Sequence, residues 1–260
     1  MAEIIIFTKR ITMIAKRGVL ELIYNKDKVT SFNEYPFNIP ALKNLSTLKF
    51  HPKVTYLSGE NGMGKSTLIE AIAVACGFNP EGGTANFSFS TRASHSPLYQ
   101  HIRIARGPVR PKDGFFLRSE SFFNLATNIE DLDKEPSMGP PIINYYGGVS
   151  LHEQSHGESF WALFTHRFSG NGLYILDEPE AALSPSRQMA MLARMHDLIQ
   201  QDSQFIIATH SPIVMAYPDA DIYELTGDGL KKTKYTETEN YKVSHQFINN
   251  YKNMLKILME

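Results

Sequence analysis

Residues 54–76 read VTYLSGENGMGKSTLIEAIAVAC, in which the pattern GxxxxGK[ST] lies between two apolar segments. The first segment, Val54–Leu57, predicts a short buried strand, and the second, Ser66–Cys76, predicts a helix that ends at Gly77. Glycines between them let the backbone turn its N–H groups toward an anion, and the helix start adds the positive end of its dipole. This stretch therefore predicts a phosphate-binding loop in an α/β fold.

The side chains of this loop suit a nucleoside triphosphate with Mg²⁺. Lys65 can bridge the β- and γ-phosphates, Ser66 can ligate Mg²⁺, and the Thr67 hydroxyl can donate to the α-phosphate. A glycine turn with a chance lysine is the alternative, but the strand before the loop and the helix after it favour ATP as the ligand. The candidate nucleotide-binding residues are Gly59, Glu60, Asn61, Gly62, Met63, Gly64, Lys65, Ser66 and Thr67.

A second apolar run ends in two carboxylates. Leu173–Leu176 predicts a strand, and Asp177, Glu178 and Pro179 follow it directly. At this position Asp177 can hold Mg²⁺, and Glu178 can orient and deprotonate the water that attacks a γ-phosphate. A kinase transfers phosphate to a bound substrate and needs no water-activating carboxylate here. The pair therefore favours ATP hydrolysis over an exposed acidic turn.

Two shorter segments follow the same order along the chain, SHGE at 155–158 and THSP at 209–212. The first offers a serine hydroxyl, a glycine and a helix start to an anion, or a plain N-cap. Its candidate residues are Ser155, Gly157 and Glu158. In the second, His210 follows the predicted strand Phe205–Ala208. A histidine there can hydrogen-bond a γ-phosphate oxygen or hold the attacking water, although a histidine at a strand end can also be structural.

The order and spacing of these four segments resemble the ABC class of ATPases, in which two subunits close around nucleotide. Longer matches make the chain similar to the small single-domain "predicted AAA/ABC ATPase" group of bacteria and their phages, over about residues 36–225. The matching words are GENGMGKSTLIEAIA, EGG, FFLRSESFF, SLHEQSHGESF, LYILDEPEAALSP and QFIIATHSP. The resemblance implies a homodimer on ATP binding, with Lys65, Glu178 and His210 as catalytic residues. Ser155 and Gly157 of one subunit would bind the γ-phosphate held by the other.

The chain departs from the family pattern at three places. His156 replaces the first glycine of the Ser-Gly-Gly signature, and Ser184 replaces an aspartate that lies at the dimer seam of the family. The family also has a glutamine that senses Mg²⁺ and the γ-phosphate, but residues 114–123 contain none. Arg118 or Glu120 are the candidate substitutes, and a structural ion pair is the alternative for Arg118.

The resemblance leaves the adenine contact and the partner open. Tyr35 and Phe37 precede the phosphate loop and are candidates to stack on adenine, or members of the core. A basic strip could meet the phosphates of a nucleic acid, or be a solvated hairpin face. The strip consists of Arg103, Arg106, Arg110, Lys112 and Arg118. We expect either a protein effector or a nucleic acid as the partner.

The predicted fold is a single α/β domain over residues 1–260, a P-loop NTPase of ABC-ATPase type with a mainly parallel central sheet flanked by helices. Continuous apolar strands separated by helices indicate that the sheet is buried on both faces. We expect an N-terminal antiparallel β portion over about 1–50 and a helical or irregular signature lobe over about 119–168. A C-terminal hairpin and helix are expected over about 221–260.

Charge, cysteine count and the lengths of particular segments limit the classes of protein to which the chain can belong. The net charge of −1 gives no global attraction to nucleic acid, and the single cysteine, Cys76, excludes an internal disulfide. Apolar runs fall far short of the roughly 18 residues that span a bilayer, so a cytoplasmic protein without membrane insertion is expected. An ATP-binding subunit of a membrane transporter is the alternative, which the irregular stretch 131–150 disfavours. The short interval between Gly59 and Ser155 excludes a long coiled-coil arm, and a nucleotide switch with negligible turnover stays open.

Overall fold

A six-stranded, mostly parallel sheet organises the structure, a computed structural model that describes residues 18–84, 96–134 and 139–260. The strands are β1 (Val19–Tyr24), β2 (Thr47–Lys49), β3 (Val54–Gly59), β4 (Ile102–Arg106), β5 (Asp113–Arg118), β6 (Gly172–Asp177), β7 (Gln204–Ala208), β8 (Asp221–Thr226) and β9 (Gly229–Thr233). The helices are α1 (Pro40–Lys43), α2 (Lys65–Ala75), α3 (Phe122–Lys134), α4 (His156–Ala162), α5 (Pro185–Gln200) and α6 (Glu239–Met259). Residues 1–17 of the expected N-terminal antiparallel β portion lie outside the described residues.

The central sheet has the strand order β5-β6-β7-β3-β8-β9. Its first four pairs are parallel, and the β8–β9 hairpin adds an antiparallel edge. The α/β fold with a mainly parallel sheet is thereby confirmed.

Apolar side chains on both faces of this sheet explain why its strands are continuous apolar runs. Along β3, Val54 and Tyr56 belong to one buried cluster, which α3, α4 and α5 cover. Leu57 belongs to the other cluster, which α2 and the second sheet cover. Successive side chains of a strand point to opposite faces, so the two clusters lie on opposite faces of the sheet.

The second sheet is antiparallel, with the order β2-β1-β4. The hairpin face that was the alternative for the basic strip is therefore wrong, because the strands on either side of residues 107–112 do not pair with one another. Instead β4 pairs with β1, and β5 pairs in parallel with β6. The physical reason is burial: Phe115, Phe116 and Leu117 are fully buried and suit the central sheet, which is covered on both faces, whereas β4 has exposed arginines and suits the smaller second sheet.

Two helices of the expected lobes have distinctive ends. Helix α4, in the expected lobe at about 119–168, passes into a π-helical turn at Leu163–Arg167. Helix α6 begins at Glu239, within the C-terminal segment where a helix was expected, because the Thr238 hydroxyl accepts a hydrogen bond from the Tyr241 N–H and caps the helix. No residue of α6 is buried.

Candidate active site

Strands β3, β6 and β7 run in parallel and end at the same edge of the central sheet. The phosphate loop follows β3, Asp177 and Glu178 stand at the end of β6, and His210 comes just after β7. Three segments that are far apart in sequence therefore meet at one edge, where ligands bind in open α/β sheets.

The backbone of the loop is shaped by close packing on both sides. Gly59 has φ of +136°, and a Cβ on it would lie 2.6 Å from the Leu225 carbonyl oxygen. Gly64 has φ of +92°, and a Cβ there would lie 2.9 Å from Ile39 Cγ2. Glycine is required at both positions, because other residues rarely adopt this backbone region and their side chains would clash.

Lys65 is held inside the loop. Its side chain is almost fully buried, and Nζ donates hydrogen bonds of 3.0 Å to the carbonyl oxygens of Gly59 and Glu60. Burial lowers the pKa of Lys65, against the opposing charges of Glu178 and Asp177. The ammonium group is thus placed where the oxygens of a bound phosphate could replace the two carbonyls.

Ser66 and Asp177 meet across the loop, with Ser66 Oγ 3.3 Å from Asp177 Oδ1. Burial raises the pKa of the Asp177 carboxyl to about 7, although the charge of Arg118 lowers it. A buried carboxylate and a hydroxyl oxygen within this distance are the hard oxygen ligands that Mg²⁺ takes, and a cation there would favour the ionised carboxylate. The two residues therefore fit a magnesium ion.

Glu178 has an unusual backbone conformation, with φ of +50° and ψ of +53°. Its N–H donates to the Ala208 carbonyl oxygen at 2.9 Å. The Ser119 hydroxyl lies 2.7 Å from the Glu178 carbonyl oxygen and 3.1 Å from that of Asp177, so it holds the backbone of both acidic residues. Sequence reasoning missed Ser119, whose only signal is its place next to Arg118.

His210 approaches Glu178 directly. Its Nε2 lies 3.4 Å from Glu178 Oε1, yet this buried nitrogen has no hydrogen-bond partner among the described residues. The backbone around it is fixed, because the His210 N–H donates to Glu180 Oε1 at 2.7 Å and Asn240 Nδ2 donates to the His210 carbonyl oxygen at 2.6 Å. Neither Glu180 nor Asn240 was among the site residues predicted from the sequence.

The signature segment, residues 155–158, begins α4 and is largely exposed. The N–H and the hydroxyl of Ser155 donate to Glu158 Oε2 at 3.0 and 2.5 Å, and these hydrogen bonds lower the pKa of Glu158. A Cβ on Gly157 would lie 2.8 Å from the Ala182 carbonyl oxygen. Close helix packing therefore explains the glycine within one copy of the chain.

Arg118 is engaged in an ion-pair cluster rather than free for phosphate. Its guanidinium lies 2.5 Å from Glu70, a buried residue of α2, and 3.2 Å from Glu120. The Glu70 carboxylate also accepts a hydrogen bond from the Ser96 N–H. The geometry favours the structural ion pair for Arg118. Because Arg118 and Glu120 are paired with each other, neither is free to replace the glutamine of the family.

The two residues that are candidates to stack on adenine differ clearly in burial. Phe37 is buried and contacts His101 edge to face, with 4.7 Å between the ring centroids. Tyr35 is 61% exposed, and its hydroxyl lies 3.1 Å from the Thr67 hydroxyl. It lines a cleft of about 310 Å³ together with the phosphate loop and Glu178. Within the described chain the signature segment does not line this cleft.

Ser184, which stands where the family has an aspartate, caps a helix. Its hydroxyl accepts a hydrogen bond from the Arg187 N–H at the start of α5. Arg187 also donates to the Gly157 carbonyl oxygen at 3.4 Å, which connects α5 to the signature helix. The serine therefore has a local role that needs no carboxylate.

Two family models match the chain, each over about a third of its length. Residues 35–120 match a model described as "AAA domain", and residues 124–216 match one described as "AAA domain, putative AbiEii toxin, Type IV TA system". These ranges contain the phosphate loop, the signature segment, Asp177, Glu178 and His210.

Curated relatives are similar at low identity. The energy-coupling factor transporter ATP-binding protein EcfA2 of Methanospirillum hungatei JF-1 is 26% identical over 208 residues, which are 72% of this chain and 49% of that protein. The cytochrome c biogenesis ATP-binding export protein CcmA of Brucella melitensis biotype 1 is 27% identical over 186 residues, 68% of this chain and 80% of that protein. The chain spans half or less of the length of the first relatives it matches.

Among solved structures, the chain is similar to cbiO1 of Clostridium perfringens, part of the ABC transporter complex cbiONQ. The TM-score is 0.46 at 18% identity, and the alignment covers 93% of this chain and 97% of the cbiO1 chain. The SMC head domain from Thermotoga maritima has a TM-score of 0.44 at 16% identity and covers 84% and 98%. Among the described residues, no helix has the length and apolar character needed to cross a membrane.

Proposed function

We propose that this chain, which carries a P-loop ATPase domain of the AAA/ABC type, hydrolyses Mg-ATP at a site that a second copy completes. The observation that carries the proposal is the meeting of Glu178 and His210. Their side chains lie 3.4 Å apart at the sheet edge that bears the phosphate loop, and the facing histidine nitrogen has no hydrogen-bond partner in the described chain. A γ-phosphate and its attacking water would occupy that place.

Each side chain has a defined part in this reaction. The loop N–H groups and Lys65 bind the phosphates, and Ser66 and Asp177 would hold Mg²⁺, which neutralises charge on the phosphate oxygens when bound. Glu178 takes a proton from water while the water oxygen attacks the γ-phosphorus. The bond to the β-phosphate oxygen breaks, and ADP and inorganic phosphate leave. His210 Nε2 can hydrogen-bond the γ-phosphate.

The need for a second copy follows from the exposed signature segment. Ser155 and Gly157 begin a helix whose positive end faces outward, and they do not line the cleft at the phosphate loop of the same described chain. A γ-phosphate held by the partner copy would exchange the Ser155–Glu158 contact for a contact with the anion. Hydrolysis would remove the bridging phosphate and let the two copies separate.

We infer that this cycle drives a switch for a partner protein or nucleic acid, in phage defence or in a DNA transaction. The family model over 124–216 supports a defence setting, since its description names a toxin of a type IV TA system. The curated relatives favour a second candidate, an ATP-binding subunit of a membrane transporter, because several of their names are those of transporter proteins.

Replacing Glu178 tests the proposal. Glu178→Gln keeps the shape of the side chain but cannot accept the proton of water, so ATP binding should persist while turnover falls by about 10²-fold or more. With saturating Mg-ATP the variant should elute as a dimer on size exclusion. The exposed Glu237 offers a matched control, and Glu237→Gln should behave as the parent.

The second copy is tested by a further substitution in the same background. Ser155→Arg should abolish the ATP-dependent dimer, because the larger side chain blocks the partner, and should leave ATP binding by the monomer intact. A Glu178→Gln protein that stays monomeric in saturating Mg-ATP would contradict the shared site. A parental chain that forms the dimer without measurable turnover would point to a binding switch instead of an ATPase.

A further inference from the structure

A cavity of about 370 Å³ lies at the edge of the central sheet opposite to the nucleotide site. Strands β5 and β6 begin there, at Asp113 and Gly172, whereas the site residues stand where β3, β6 and β7 end. Arg106, Arg110 and Lys112 line this cavity, and we call these three residues the basic surface. A nucleotide in the active site cannot reach them, because the length of the strands separates the two edges.

Asp113 is the one carboxylate among the described residues that line the cavity, and both of its oxygens already have partners. Its Oδ1 lies 2.9 Å from the guanidinium of Arg167, and its Oδ2 accepts hydrogen bonds from the Tyr174 hydroxyl at 2.7 Å and from Ser169. Burial alone would raise the pKa of Asp113, but Arg167 and these hydrogen bonds hold it below its usual value. The Asp113–Arg167 pair is therefore neutral and leaves the charge of the basic surface uncompensated.

The three cations of the basic surface are exposed and have no carboxylate partner among the residues that the structure describes. Arg106 has a structural role, since Nη2 donates to the Ala75 carbonyl oxygen at 3.2 Å, at the negative end of α2. That role fixes the position of the guanidinium and keeps its charge. Among the described residues no such contact accounts for the side chain of Arg110 or Lys112, so helix capping does not explain the surface as a whole.

The three cations around one open cavity suit a polyanion. Arg103 is also exposed on β4, but it stands three positions from Arg106, so its side chain points to the opposite face of the strand and does not extend the basic surface. A single phosphate group carries at most two negative charges, fewer than the three cations, whereas a nucleic acid offers a regular row of phosphates. Because the net charge of the chain is −1, the attraction is local to this surface. From this charge complementarity we propose that nucleic acid docks through its phosphates on the basic surface.

Two rigid elements connect this surface with the active site. Helix α2 begins at Lys65 in the phosphate loop and ends beside Cys76, which lines the cavity. Strand β5 begins at Asp113 and leads to Ser119, whose hydroxyl holds the carbonyls of Asp177 and Glu178. Nucleic acid would thus be the partner of the proposed switch. Docking itself does not depend on the shared ATP site, and only its coupling to turnover rests on the proposed function.

The experiment measures binding of the full chain to fluorescently labelled single-stranded DNA, duplex DNA and single-stranded RNA by polarisation across a salt series. The variant Arg110→Gln/Lys112→Gln removes two charges, and Lys231→Gln/Lys234→Gln removes two exposed charges from another surface. We expect the first variant to bind roughly tenfold or more weakly near 0.1 M salt and to lower the slope of log affinity against log salt by about 2. The control should match the parent.

Equal affinity of the parent and the first variant, or an equal loss in the control, would overturn the proposal. Saturable binding of inorganic phosphate or of phosphatidylserine vesicles, without binding of any nucleic acid, would also overturn it and identify another anion as the ligand. Both variants should keep the parental melting temperature and the parental ATP turnover without nucleic acid. Failure of docking would therefore leave the proposed ATPase standing, and loss of ATPase in Glu178→Gln would leave docking unaffected.

Discussion

Glu178 illustrates how single residues are constrained at the proposed site. A residue with a bulky side chain rarely adopts φ near +50°, and such a conformation persists only where the surroundings fix it. Here the Ala208 carbonyl accepts from its N–H, and Ser119 donates to its carbonyl. The strained backbone directs the carboxylate toward His210, which supports its proposed role in positioning water.

Tyr35 gives a test at the same scale. Replacing its exposed ring by Tyr35→Ala should raise the Kd for ATP by about 3- to 10-fold, because an aromatic stack contributes roughly 0.5–1.5 kcal/mol beyond its buried area. Tyr35→Phe keeps the ring and loses only the contact with the Thr67 hydroxyl, so its affinity should stay near that of the parent. Isothermal titration calorimetry measures both.

Tyr145 provides the control, since it is similarly exposed, and Tyr145→Ala should bind ATP as the parent does. A Tyr35→Phe protein as weak as Tyr35→Ala would show that the hydroxyl, and not the ring, contacts the nucleotide. Unchanged affinity in both Tyr35 variants would place adenine elsewhere.

At the scale of the elements, the packing of α4 on the turn at Pro179–Ala182 connects the signature helix with the proposed active site. Gly157 allows a close approach to the Ala182 carbonyl oxygen, and Arg187 of α5 donates to the carbonyl oxygen of Gly157 itself. The turn directly follows Asp177 and Glu178, so the signature helix and the acidic pair are mechanically connected within one copy. A shift in the position of either one would therefore displace the other.

Gly157→Ala tests this connection. The added Cβ would lie 2.8 Å from the Ala182 carbonyl oxygen, so the helix must move away from the turn at a cost of about 1–3 kcal/mol. We expect ATP turnover and the ATP-dependent dimer to weaken by roughly tenfold, as measured by phosphate release and size exclusion. Gly227→Ala is a matched control, because a Cβ at Gly227 meets nothing within 4 Å. Parental turnover in Gly157→Ala would show that the helix position is unimportant.

The whole molecule is built around one sheet with a core on each face, and polar residues connect its outer strand to the rest. Asp113 at the start of β5 binds Arg167 beyond α4 and the Tyr174 hydroxyl on β6. Arg167 also lies over the Phe115 ring, with 5.7 Å between its Cζ and the ring centroid. This network should contribute to the free energy of unfolding of the entire domain.

Asp113→Asn should lower that free energy by about 2–3 kcal/mol at neutral pH, since it leaves the mostly buried Arg167 without its carboxylate. The pKa of Asp113 is lowered in the folded state, so its contribution is present above the unfolded value of about 4 and is lost as pH falls through the folded value. Urea unfolding over a pH series should show that the parent loses more stability below about pH 4 than the variant does.

The exposed Asp27 serves as the control, and Asp27→Asn should follow the parent at every pH. Identical acid dependence in the parent and Asp113→Asn would mean that the Arg167 pair does not stabilise the fold.

Sequence alone was sufficient for the mainly parallel sheet and for the phosphate loop with its flanking strand and helix. Each of these depends on a short continuous stretch, in which apolar periodicity and glycine positions dictate the local backbone. The order of the matched segments along the chain also identified the AAA/ABC type. Strand β4 shows the limit of this reasoning, because two neighbouring strands joined by a turn look like a hairpin whichever sheets they enter.

The tertiary structure decided what depends on burial and on partners distant in sequence. Tyr35 is exposed at the cleft whereas Phe37 is buried, and Arg118 forms an ion pair with Glu70. Ser119 and Asn240 donate hydrogen bonds to the carbonyl oxygens of Glu178 and His210. These contacts join residues from separate elements, so no local pattern encodes them. The sequence determined which chemical groups the chain carries to the edge of the sheet. Only the packing of the elements determined which of those groups are free for a ligand and which are already bound to one another.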